Sequence, residues 1–232
     1  MTTSRTPPGA RLLLVMTASA LAASCGPRRA AVIGPVPDAA SVARGLESAT
    51  RLEEPIRIDF EWELNEAGSR LHGTGVARAE PPYRARLDLF LANGETVVSA
   101  ALVDGDLRLP YGARDDILPP ADLMWGTLGV FHPLPGTELE AGERLESGAQ
   151  RLRYRQGNGN EIHYETTDGA LRAVELLDGS RVVQWVRVSA ADDSRYPHEA
   201  TYRNLEAFRE LKIRRTALSA AQVFDPVIWN PR

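Results

Sequence analysis

The chain has 232 residues, of which 43% are hydrophobic, 25% charged and 6% aromatic, a composition ordinary for one globular domain or at most two. Its 27 basic and 31 acidic residues leave a formal net charge of −4, so it has no basic footprint for nucleic acid. These figures exclude a mainly disordered chain, a collagen-like repeat and a polytopic membrane protein, and the single cysteine, Cys25, excludes an internal disulfide or a cysteine-rich metal site.

Arg5 and Arg11 precede an apolar run from Leu12 to Ala23. As a helix this run would span roughly 18 Å, short of the roughly 30 Å hydrocarbon core of a bilayer. A basic start, a short apolar centre and a small-residue zone read as a secretory signal. The run closes as Leu21-Ala22-Ala23-Ser24-Cys25-Gly26, which resembles the lipobox of bacterial lipoproteins, although Ala22 stands where leucine is commoner. That resemblance implies cleavage before Cys25, a lipid thioether on Cys25 and acylation of the new amino terminus. Multiple acyl chains matter physically, because one chain binds a membrane only marginally. Cleavage would remove Arg5 and Arg11 and leave a more acidic chain, so the anchor and no basic patch would hold it at the membrane. Gly26, where an aspartate would imply inner-membrane retention, points by the same resemblance to the outer membrane, facing the periplasm.

Residues 26–37 carry Pro27, Gly34, Pro35 and Pro37 without periodicity, and read as a tether reaching roughly 35–40 Å when extended. The expected organisation is a signal at 1–24, the lipidated cysteine and tether at 25–37, and one domain at 38–232.

Asp38 is placed to cap a helix running to about Thr50, with Val42, Leu46 and Ala49 as its apolar stripe and Gly45 as a weak point. From Pro55 the period changes to two: Ile56, Ile58, Phe60, Trp62 and Leu64 alternate with charged residues, a half-buried strand. After a turn at 65–68, Leu71 to Ala79 forms the next strand, where Gly73 and Gly75 suggest a bend or a close backbone approach. Alternation returns with Tyr83, Ala85, Leu87, Leu89 and Leu91. Asn93-Gly94 is a hairpin turn, Glu95 to Val103 a strand, and Asp104-Gly105 turns it into 107–111. Ala121 to Phe131 follows a double proline and is apolar on nearly every side, which predicts a buried or covering helix loosened by Gly126 and Gly129. Strands are expected at 151–156, 161–166, 170–177, 181–189, 199–205 and 209–218, with an apolar tail from Val223 to Trp229 packing back. Roughly ten or eleven antiparallel strands and two helices make an α+β domain: a curved antiparallel sheet forming an unclosed half β-barrel, with helices on its concave face.

This order resembles the LolA/LolB superfamily of bacterial lipoprotein carriers and receptors. The resemblance is carried by the 38–50 helix, Phe60-Glu61-Trp62, Gly73-Thr74-Gly75, Pro82-Tyr83-Arg84-Ala85-Arg86-Leu87, Val103-Asp104-Gly105 and the apolar Leu123–Phe131 stretch, and it spans about residues 38–229. It implies an unclosed barrel under a helical lid that binds lipid or acylated lipoprotein. Soluble carriers of the family latch the lid with an arginine before the proline that opens the third strand, but Glu80 and Pro81 stand there, which favours an anchored, LolB-like protein. Anchored receptors carry a protruding loop with an exposed leucine. The corresponding turn here, Ala92-Asn93-Gly94, is short, and Leu91 is the nearest candidate.

No catalytic constellation emerges. His72, His132, His163 and His198 lack metal-site spacing, and His163 between Glu161 and Glu165 reads as a solvated strand face. Asp59, Glu61 and Glu63 lie opposite the apolar stripe and not in a cleft. Ser41, Ser99 and Ser189 have no nucleophile-elbow context. The remaining candidate is the apolar concave face, where Ile58, Phe60, Trp62, Leu87, Leu89 and Leu91 would face Met124, Trp125 and Leu128. It reads either as a filled core or as a groove for acyl chains, yielding about 0.8 kcal/mol per buried methylene. The expectation is a monomeric, non-enzymatic envelope lipoprotein without metal or cofactor. Its partners would be the membrane, through lipid on Cys25, and acyl chains or lipoproteins as cargo. The alternative is a structural or assembly lipoprotein that docks on envelope proteins.

Overall fold

A computed structural model of the chain describes residues 29–114, 117–189 and 194–231. The signal segment and Cys25 lie outside the described residues. In chain order the elements are β1 (Val32–Pro35), α1 (Ala39–Thr50), β2 (Ile56–Glu66), β3 (Ser69–Glu80), β4 (Arg84–Leu91), β5 (Thr96–Val103), β6 (Asp106–Arg108), α2 (Ala121–Thr127), β7 (Glu138–Leu145), β8 (Gln150–Arg155), β9 (Glu161–Thr167), β10 (Ala170–Asp178), β11 (Arg181–Val188), β12 (Glu199–Asn204), β13 (Arg209–Ala220) and a 3₁₀ turn at Pro226–Trp229. The strands form one antiparallel sheet of 13 in the order β1-β7-β8-β9-β10-β11-β12-β13-β2-β3-β4-β5-β6. Its two edges, β1 and β6, do not pair, so the barrel is unclosed.

The period-two pattern sets which face is buried. Ile56, Ile58, Phe60, Trp62 and Leu64 of β2 are buried, and their register partners continue the inner face across β3 and β4. Asp38 caps α1 as its sequence position predicts, its Oδ1 accepting from Ser41 N at 2.8 Å. Both helices join the inner-face core through Ala43, Leu46, Leu123, Met124 and Trp125.

Four elements differ from the sequence reading. Val32–Pro35, expected as tether, is strand β1 on the edge of β7: Val36 N donates to Gly142 O and Glu146 N to Ala31 O, each at 2.8 Å. Strand β7 itself is not anticipated. Its sequence, ELEAGERL, alternates weakly, and Gly142 is needed because a Cβ there would lie 2.8 Å from that of Ala39. The second helix stops at Thr127, not Phe131. Gly129 takes φ 72° and Val130 N returns to Trp125 O at 3.0 Å, a left-handed C-terminal stop that glycine permits. The β9 face with His163 is not solvated: His163 and Glu175 are buried among ion pairs. The C-terminal tail packs back through Trp229, while Val223 and Val227 remain exposed.

Candidate functional site

The site expected from the sequence lies between the inner face of the sheet and α2. Seven of its nine residues, Ile58, Phe60, Trp62, Leu89, Met124, Trp125 and Leu128, are buried in one hydrophobic cluster, and Leu87 and Leu91 are half-buried against it. Leu91 ends β4 and faces Gly73 in register. The turn after it is tight, with Gly94 N donating to Leu91 O at 2.8 Å, so Leu91 is no exposed loop leucine.

Two glycines seat the large rings. A Cβ on Gly73 would lie 3.1 Å from Trp62 Cε2 and collide with Phe90 O. One on Gly75 would lie 2.8 Å from Asp88 O and closer still to the Phe60 ring. The bare strand lets both aromatics lie against the backbone, and Trp62 Nε1 donates to Thr74 O at 2.9 Å. Gly73-Thr74-Gly75 is therefore a platform for side chains and not a ligand loop.

The cover, α2, packs chiefly over β10, β11 and β12, not over Phe60 and Trp62 as expected. Gly126 allows this, since a Cβ there would lie 2.7 Å from Val174 Cγ2. The end of the cover does reach the expected face: Thr127 and Leu128 meet Ile58, Phe60, Ala77 and Leu87 around a cavity of about 30 Å³. That is the space of about one water. The space between the end of the cover and β2 is thus filled, whereas an open cavity of about 660 Å³ has Trp62, Gly73, Ala200 and Ile213 among its walls.

The cover is held by few polar ties. α2 is seven residues long, and its N-cap, Pro120, offers no side-chain hydrogen bond. Trp125 Nε1 donates to Asp104 O at 2.8 Å, and after the helix Phe131 N donates to Thr50 Oγ1 at 2.9 Å, tying the segment to α1.

Sequence reasoning missed the polar points of this interior: His132 and Asp122 are lone residues in apolar stretches, and Glu47, Tyr154 and Tyr164 sit among polar neighbours that give no sign of burial. His132 stacks on Tyr83 with centroids 3.7 Å apart and stands edge-on to Trp125. Burial pushes its pKa down. The Tyr83 hydroxyl donates to Glu47 Oε1 of α1 at 3.3 Å. In the first turn of α2, burial raises the carboxyl of Asp122, and it pushes the Tyr154 hydroxyl of β8 up to about 12. Tyr164, wholly buried beside them, titrates well above its usual range for the same reason, and its hydroxyl has no hydrogen-bond partner among the described residues. An open groove of about 430 Å³ runs between α1 and the 131–139 segment, with Phe131, Leu139 and Tyr154 among its walls and Arg44, Glu47 and His132 among its polar groups.

Among the described residues no group of three or more metal-ligating side chains converges, and no helix is long and apolar enough to cross a membrane. Asp59 is held by Arg57 and Glu61 by Arg214, so two of the three carboxylates of the β2 row are ion-paired on the outer face.

No family model and no curated protein matches the sequence. In structure the chain is similar to a LolA superfamily protein from Nitrosomonas europaea, at 8% identity and a TM-score of 0.58, covering 82% of this chain and 96% of that one. It is also similar to a DUF1329 family protein from Desulfovibrio piger, at 11% identity and a TM-score of 0.55, covering 84% and 97%. At these identities the likeness establishes the fold, which is LolA/LolB-like: an unclosed antiparallel barrel with its helices on the inner face.

Proposed function

We propose that this half-barrel is a lipid-anchored protein of the cell envelope that takes an acyl chain, from a lipid or an acylated lipoprotein, between its sheet and α2. Cys25 carries the anchor in this reading, and the outer membrane, facing the periplasm, is its place. The observation that carries the proposal is the construction of the cover. A seven-residue helix without a side-chain cap closes an apolar inner face, and its end meets Ile58, Phe60 and Leu87 around a small cavity. An acyl chain that displaces α2 would exchange one apolar contact for another, so opening costs little burial once cargo is present. The described site needs no catalytic group, and the reading is of a binding protein.

The filled space under the end of α2 favours a second reading, in which the domain is an anchored module that docks on other envelope proteins. One experiment separates the two. The chain from Gly26 onward, exported without its lipid, is titrated with a fluorescent fatty-acid analogue while tryptophan emission is followed, since Trp62 and Trp125 flank the proposed path. Uptake at micromolar concentration with a shift in emission supports acyl binding. Absence of uptake removes that reading and leaves the docking module.

A further inference from the structure

The outer face of β9 and β10 carries an anchorage that the proposed function does not use. Glu175 of β10 and His163 of β9 are register partners on this face, and both are buried. Arg29, outside the sheet, reaches them. Its Nε and Nη2 both donate to Glu175 Oε2, at 3.2 and 2.5 Å, and Nη2 lies 3.3 Å from His163 Nδ1. His163 Nε2 in turn lies 3.0 Å from Glu161 Oε2. Residues 31–36 are then bound to the edge of β7 by the backbone bonds of Ala31 and Val36. From Arg29 onward the segment expected to be a leash is fixed to the sheet.

We propose that the Arg29–Glu175 clamp holds the outer face of β9–β10 against the lipid surface that bears the acyl groups of Cys25, and turns the α2 side away from it. The proposal rests on the reading that Cys25 is lipidated. Four peptide steps separate Cys25 from Arg29, at most about 14 Å of chain. A free tether through residue 37 would instead reach roughly 35–40 Å. The anchored end therefore stays close to the outer face whatever path those four steps take. The charge on that face suits a lipid surface. Its arginines are matched by glutamates, as in Arg151–Glu165 at 2.6 Å and Arg153–Glu143 at 3.2 Å, so an acidic protein presents a locally neutralised side to an anionic leaflet.

The test uses the full chain, processed in cells and recovered in membranes. Lipid on Cys25 would leave an introduced cysteine as the one free thiol, so Arg187→Cys, exposed on neighbouring β11, and Tyr111→Cys, exposed after β6, can each carry a dye against a quencher held in the bilayer. The expected result is quenching several times stronger at position 187 than at 111, with the difference reduced in Glu175→Gln, where the pairing of residues 31–36 with β7 is the remaining tie. If Glu175→Gln misfolds, Arg29→Gln, altering the more exposed partner, must give the same reduction. Equal quenching at both positions, in protein that incorporates labelled palmitate and sediments with membranes, overturns the clamp while leaving the anchor intact. Protein that neither labels nor sediments overturns the anchor, and this placement with it.

Discussion

The ring of Phe60 occupies the space that a side chain on Gly75 would need, and Gly73 serves Trp62 in the same way two register pairs further along β2 and β3. Gly75→Ala and Gly73→Ala should each destabilise the fold by about 1–3 kcal/mol through overpacking, because the neighbours include backbone oxygens that cannot move aside. Gly45, in α1, has nothing within 4 Å of an added Cβ, so Gly45→Ala should stabilise by up to about 1 kcal/mol. Urea unfolding of the three variants checks both signs.

Trp125 ties the cover to the β5–β6 turn through its indole N–H on Asp104 O. Trp125→Phe removes that bond and part of the buried ring, at a cost of about 1–3 kcal/mol. If α2 is a displaceable cover, the variant should take up an acyl probe faster than wild type despite its lower melting temperature. A fall in both uptake and stability would make Trp125 a plain core residue.

The inner face was legible because a sheet with one buried face repeats every two residues, and Ile56 to Leu64 keep that repeat without interruption. The reason for Gly73 and Gly75 was only half legible: a close approach could be inferred, but not that side chains of the neighbouring strand make it. The interruptions hid the rest. Gly142 and paired glutamates blurred β7, and the prolines around Val32 disguised a short edge strand that exists only because β7 is beside it. The position of α2 was set by Gly126 against Val174, a contact between residues 48 positions apart that no local pattern encodes. The burial of His163 likewise depends on distant partners, Arg29 and Glu175.

Two histidines make stability fall in mild acid. Burial lowers the pKa of His132, and burial, with Arg151 and Arg29 nearby, lowers that of His163, while Glu161 opposes the shift. The unfolded chain then binds protons from about pH 6.5 downward that the folded chain refuses until a lower pH. Stability should be flat above that value and drop as pH falls from it toward the folded-state pKa values. His163→Gln should reduce the drop measured by urea unfolding between about pH 7.5 and 5.5. The ion-paired Glu66 and Glu161, held below the ordinary carboxylate value of 4.5, add a separate loss further into acid. Asp122 works the other way, since burial raises its pKa and its protonation relieves a buried charge in the first turn of α2. A stability profile that is level from neutrality down to the carboxylate range would contradict the histidine assignment.

The Tyr164 hydroxyl is the sharpest test of whether the interior is built for a ligand. It is fully buried on β9, its ring lies edge-on to Phe131 and Tyr154, and its oxygen has no partner among the described residues. An unpaired buried hydroxyl costs about 1–3 kcal/mol relative to a paired one, so Tyr164→Phe should leave stability unchanged or raise it, with a melting temperature at or above wild type. Its effect on binding then decides its role. If the polar end of an acyl ligand pairs with this oxygen when α2 moves, the variant should gain stability and lose probe affinity by about tenfold, the worth of one hydrogen bond in a dry site. If the ligand lies only against Ile58, Phe60 and Leu128, affinity should not change. A Tyr164→Phe chain that melts well below wild type would show instead that the hydroxyl is satisfied in solution, and the acyl path would then have to be sought along the groove between α1 and residues 131–139.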